Sequence, residues 1–186
     1  MKYLGPALLA ALLCGCASTR PGDDLGFSPA GSLAAFDGCY ANQGETGPGA
    51  GPRYLSRGLW PKADLAHTQV TAVQVQAVAE GTVRVTAYAG NQRLRQDTFR
   101  QGQDFSFQGG RISISQAMGS AATESGNPFI GAGMVTLELG VDAAGNGRME
   151  ESSAFAGTAF LVIPVVGGTR DAARFRRADG LCGAAL

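Results

Sequence analysis

The chain has 186 residues, 45% of them hydrophobic and 16% charged, with Lys plus Arg equal to Asp plus Glu at 15 each. This length suits one domain with a real core, and the balanced charge excludes the basic footprint of a nucleic-acid binder. Few charges and 28 glycines read as a turn-rich β protein.

The first residues are ordered as a secretory leader. Lys2 supplies a positive start, Leu4 to Leu13 an apolar stretch, and small residues follow. The run is shorter than the roughly 20 residues of a spanning helix. It closes on Leu13-Cys14-Gly15-Cys16. This tetrad resembles the lipobox of bacterial lipoproteins, with Leu three before the cysteine and Gly one before it. Cys14 stands where Ala or Ser is more usual. The resemblance implies a leader over residues 1–15 and a mature chain starting at Cys16. There Cys16 would carry a diacylglyceryl thioether and an N-linked acyl chain such as palmitate. Ala17, where retained inner-membrane lipoproteins carry Asp, implies the periplasmic face of the outer membrane. Two or more acyl chains hold a protein firmly in a leaflet.

Residues 16–31, rich in Ser, Pro and Gly, predict a flexible tether. The β domain is then expected over residues 32–186. Phe36 to Asn42 is a candidate first strand, and Gly44 to Pro52 a Gly/Pro-rich loop. Pro52-Arg53 follows its last glycine, where a phosphate-cradling loop needs Lys and Ser or Thr. Short helical pieces are predicted near Leu55 to Leu59, Pro61 to His67 and Ala117 to Ala122.

From Val70 the period is two. Val73, Val75, Ala77 and Ala79 precede a Glu80-Gly81 turn, and Val83, Val85, Ala87 and Ala89 follow it. Gly90-Asn91 turns into Gln92 to Arg100. Phe105 and Phe107 alternate with polar residues before Gly109-Gly110, then Ile112 and Ile114. Val135, Leu137, Leu139 and Val141 mark the clearest strand. Asp142 to Gly147 reads as a turn and Arg148 to Phe155 as the return. Phe160 to Val166, with Pro164 inside, predicts an edge, bulge or loop. Ala172 to Ala178 is the last expected strand.

The pattern predicts an all-β antiparallel meander of about eight to ten strands, because one period-two segment follows another across short turns. Closure into a barrel would remove its unpaired edges, and a sandwich is the alternative. In a closed meander the first and last strands are neighbours. An oxidising periplasm then makes a Cys39–Cys182 disulfide the natural pairing. Gly38-Cys39-Tyr40 at the start and Arg174-Phe175-Arg176-Arg177 at the end resemble two terminal features of lipocalins. That family opens on Gly-x-Trp and packs a late Arg over the aromatic; Tyr40 replaces the Trp here. The resemblance implies a lipocalin-like barrel.

Chemistry is sparse. His67 is the single histidine, without a nucleophile elbow or hydrolase signature around it. One His and two paired Cys do not make a zinc site. Asp142-Ala-Ala-Gly-Asn-Gly compares with a calcium loop opening on Asp142, with Asn146 and Gly147 at the fifth and sixth positions, Ala144 at a ligand position and Ser153 in place of the terminal Glu. It reads as a hairpin turn. Glu150 and Glu151, being adjacent, point to opposite faces of a strand and do not pair for glycoside hydrolysis. Trp60 reads as core packing. No metal, cofactor or nucleic acid is expected, and the expected membrane contact is the lipid on Cys16. Two functions follow as expectations, ahead of an enzyme. One is a carrier holding a small apolar ligand in a hollow barrel. The other is a filled structural or interaction protein docking an envelope protein through Gly44 to Pro52 or Gly119 to Gly131.

Overall fold

The structure is a computed structural model and describes residues 16–118, 129–160 and 163–182. Among these, strands dominate and the one α-helix is short.

In chain order the strands are β1 (Cys16–Thr19), β2 (Gly38–Ala41), β3 (Gln43–Thr46), β4 (Arg53–Tyr54), β5 (Ala72–Ala79), β6 (Thr82–Ala89), β7 (Gln92–Arg100), β8 (Ser106–Gln108), β9 (Arg111–Met118), β10 (Phe129–Val141), β11 (Gly147–Ala159) and β12 (Ile163–Phe175). The helix α1 spans Leu55–Leu59, as its sequence predicts, whereas Pro61 to His67 forms turns. Ala117 and Met118 lie in β9; the rest of the third expected helix falls outside the described residues. The loop expected from Gly44 starts later, because Gly44 to Thr46 belong to β3.

The strands form two sheets. The larger runs β4-β3-β12-β11-β10-β9-β8, with β1 added in parallel on β12; the smaller runs β2-β5-β6-β7. The segments β5–β7 and β8–β12 are antiparallel meanders. The expected closed barrel is corrected here: the ladders do not close, and the two sheets are compatible with the sandwich alternative. Strand length gives the reason. Strands β10, β11 and β12 each have 13 residues, while β2 has 4 and β8 has 3. Among the described residues, edges so unequal meet at isolated bridges, Tyr40 with Arg177 and Gln101 with Phe105.

Between the sheets lies one apolar core. Phe36, Tyr40, Leu55, Trp60, Val73 and Val85 meet Phe105, Leu137, Met149 and Phe175 there. Phe36 and Phe107 pack edge to face, 5.9 Å between centroids. Gly44 is required by close approach: a Cβ on it would lie 2.7 Å from the Phe175 ring. Within Phe160 to Val166, described residues 163–166 are the edge segment that the proline predicts. From Ile163 it is the start of β12, with Pro164 opposite Thr158 of β11. Pro164 is tolerated there because, among the described residues, β1 covers the other edge of β12 from Gly168 onward.

Cys39 and Cys182 are disulfide-bonded, Cα to Cα 5.8 Å. The bond joins β2 of the smaller sheet to the segment that leaves β12.

Candidate functional site

The interior offers little room. An apolar cavity of about 70 Å³ lies among Phe36, Tyr40, Val85, Phe99, Leu139 and Phe175. Ligand cavities run from roughly 300 to 1,000 Å³. The core side chains have taken the space that a carried molecule would need.

Larger hollows lie on the surface. A cleft of about 380 Å³ opens between α1 and the face of β9–β11. Its wall is Ile114, Val135, Leu137 and Met149, and its mouth carries Arg53, Arg57 and Glu151. Arg53 is already engaged, 2.7 Å from Asp171 and 3.3 Å from Glu151. A second hollow, about 520 Å³, runs along β1 and β12 and is flanked by Arg20 and Arg170.

The residues singled out in the sequence are separated in space. Cys16 opens β1 and pairs with Gly168. Glu150 and Glu151 serve opposite faces of β11: Glu150 binds Arg148 at 3.1 Å and Arg170 at 2.9 Å, while Glu151 faces Arg53. Asp142 is saturated by its own turn. Its Oδ1 accepts from the amides of Ala144 and Asn146, each at 2.9 Å, and its Oδ2 from the Asn146 side chain at 3.2 Å. Trp60 is buried in the core and donates its indole N–H to Asp97 at 2.7 Å. Among the described residues, no group of three or more His, Cys, Asp or Glu is placed to hold a metal ion. Arg177 lies against Gly38 and pairs with Asp179 at 3.2 Å.

His67 has a partner that the sequence did not signal. Its Nδ1 lies 3.0 Å from the Ser56 hydroxyl. Asn42 ties the knot, donating to the carbonyls of His67 and Val70 and accepting from the Ser56 amide. Ser56 and Asn42 have no exposed surface, so Ser56 is closed to any substrate. Burial, and secondarily the positive Arg57, holds the His67 pKa below its ordinary value. A neutral imidazole suits this setting: Asn42 satisfies the backbone where β2, α1 and the loop before β5 meet, and Ser56 and His67 satisfy each other.

Another group missed in the sequence belongs to the segment expected as a tether. Phe27 lies on Gly140, its ring 2.6 Å from where a Cβ would stand. The guanidinium carbons of Arg111 and Arg148 sit 4.8 and 4.7 Å from its ring centre. Asp24 pairs with the buried Arg148, and the Ser28 amide donates to the Val141 carbonyl at 2.8 Å. Residues 24–28 thus form a strap across the outer face of the large sheet.

Comparison with known proteins leaves the chain on its own: no family model, no curated protein and no solved structure matches it.

Proposed function

We propose that this is a lipoprotein acylated at Cys16 and held on the periplasmic face of the outer membrane, and that its β domain works through its surface as a structural or interaction module. The filled interior carries the second half of this reading. About 70 Å³ of apolar space accommodates no lipid or comparable ligand. The lipobox-like Leu13-Cys14-Gly15-Cys16 carries the first half, and the Cys39–Cys182 disulfide suits an oxidising compartment.

The test has two readouts. Labelled palmitate should enter the parent chain and not Cys16→Ala, which should also leave the membrane fraction. Native mass spectrometry of the Cys16→Ala protein should show no stoichiometric apolar adduct. Unchanged membrane retention of Cys16→Ala refutes the anchor, and a stoichiometric adduct refutes the filled-module reading.

One observation favours a second reading. The cleft beside α1 has ligand-sized volume, an apolar wall and, at its mouth, Arg57 next to the Arg53–Glu151 pair. It suits a small anionic amphiphile. An adduct that disappears in Arg57→Ala would select this reading.

A further inference from the structure

We infer that the far half of the β10–β12 sheet is a membrane-contacting surface, seated in the same leaflet as the acyl chains of Cys16. The inference rests on the lipid anchor proposed above and goes beyond it: the anchor fixes the chain to a bilayer, whereas this surface fixes how the domain meets it.

Three observations converge. The first is charge. Phe129–Leu137 of β10, Ser152–Ala159 of β11 and Ile163–Thr169 of β12 contain no Asp, Glu, Lys or Arg. The near halves of the same strands carry Glu138, Arg148, Glu150, Glu151, Arg170, Asp171 and Arg174. The second is exposure. Phe160 is 67% exposed, Met134 54%, Ile163 53%, Val166 50% and Ile130 40%. Antiparallel partners share a face, so the register puts Ile130, Met134 and Val166 on one face and Ile163 on the other, with Phe160 beyond the end of β11. Water contacts large apolar side chains on both faces of one sheet end. Soluble surfaces of that kind mark interaction sites.

The third observation names the occupant. β1 runs parallel to β12, with Cys16 beside Gly168 at the border between the charged and apolar halves. Acyl chains on Cys16 would start at that border. Arg20 and Arg170 flank the hollow at the same level, together with Ser18, Ser152 and Thr169. Apolar side chains beyond the anchor point and a polar band at it, in which Arg170 pairs with Glu150 and Arg20 lies near Asp24, match the order of hydrocarbon and polar headgroup in a leaflet.

Depth follows from backbone chemistry. From Arg170 to Ile163 a strand extends roughly 23 Å at about 3.3 Å per residue, against about 15 Å for the hydrocarbon of one leaflet. Among the described residues the ladders are open, however: β9 pairs with β10 as far as Gly133, and β1 with β12 from Gly168. Unpaired amides do not enter hydrocarbon. The sheet end therefore lies obliquely at the interface, with its side chains in the acyl region and its open edges among hydrated headgroups.

The experiment uses the full chain produced with its own leader in a Gram-negative host and reconstituted in vesicles of phosphatidylethanolamine and phosphatidylglycerol. Phe160→Trp and Ile163→Trp each add a reporter to the buried Trp60, and Val78→Trp, on the smaller sheet, is the control. Brominated acyl chains should extinguish most of the added fluorescence at 160 and 163 and little at 78, with aqueous iodide doing the reverse. Iodide quenching at all three positions overturns the proposal. So does a blue-shifted reporter that neither quencher reaches, because a protein partner or a second copy then covers the sheet end. The mass of the Cys16 peptide is read from the same preparation. Acylation without bromolipid quenching leaves the anchor standing and removes the membrane surface. Bromolipid quenching without acylation removes the anchor and keeps the surface.

Discussion

At the scale of single residues, the buried polar groups set how the protein responds to pH and substitution. His67 has a lowered pKa because burial disfavours its charged form. The unfolded chain therefore binds a proton more readily than the folded one. Stability is at its full value above the ordinary pKa of 6.5 and declines as pH falls from there toward the lower folded value. Thermal unfolding across that range should show the decline, and His67→Gln should flatten it. An equally steep curve in His67→Gln would assign the effect to another group. Arg148 is the second case. It is buried against Asp24 and Glu150 and stacked on Phe27. Arg148→Ala leaves two carboxylates without that partner, and loss of one member of such a buried pair costs about 3 kcal/mol. Urea unfolding measures it. A loss below about 1 kcal/mol would mean that Arg170 and solvent satisfy the carboxylates unaided. Neither group was legible in the sequence. His67 meets Ser56 and Asn42 through one contact each, and no periodicity encodes contacts of that kind.

At the scale of elements, legibility followed local repetition. The alternation of Val73 to Ala79, Val83 to Ala89 and Val135 to Val141 reports which side of a pleat is buried, and those segments are strands. Residues 16–31 carry no such pattern, and their Ser, Pro and Gly have the composition of a linker. What holds the strap is one aromatic ring on one glycine of a distant strand, with the Asp24–Arg148 pair and the Ser28 hydrogen bond beside it. This makes Gly140 a testable position. A valine there places a branched side chain where the Phe27 ring lies, so Gly140→Val should displace the ring from between Arg111 and Arg148. Cleavage by chymotrypsin after Phe27, which Ser28 follows, should then be faster, because a protease needs the local chain to open. Mass spectrometry of timed digests reads the rate. Cleavage at the parental rate would show that the Asp24–Arg148 pair and the Ser28 hydrogen bond hold the strap without the ring.

At the scale of the whole molecule, the two sheets share a core and meet at their edges through single bridges, so the covalent link between them has a defined task. Cys39 lies in β2 and Cys182 beyond β12, 143 residues apart in sequence. Backbone hydrogen bonds surround the link: the Ala41 amide donates to Arg176 and the Ala178 amide to Cys39. The Cys39 amide donates to the Asp179 carboxylate at 3.0 Å. That bond, with Arg177 beside it, holds the Asp179 carboxyl below its ordinary pKa. The sequence supplied the pairing through compartment and chain ends, but the sheet split depends on the relative lengths of strands far apart in the chain. Crosslinking a loop this long restricts the unfolded ensemble by on the order of 5 kcal/mol in the chain-entropy account. The joint substitution of Cys39 and Cys182 by Ala should lower unfolding stability by up to that amount while leaving the core contacts intact. Urea unfolding of both proteins under non-reducing conditions measures the difference. A loss near the full value assigns the disulfide's effect to the unfolded chain. A much smaller loss, with the β2 amides exchanging faster in the variant, would show instead that the bond restrains local opening of the junction between the sheets.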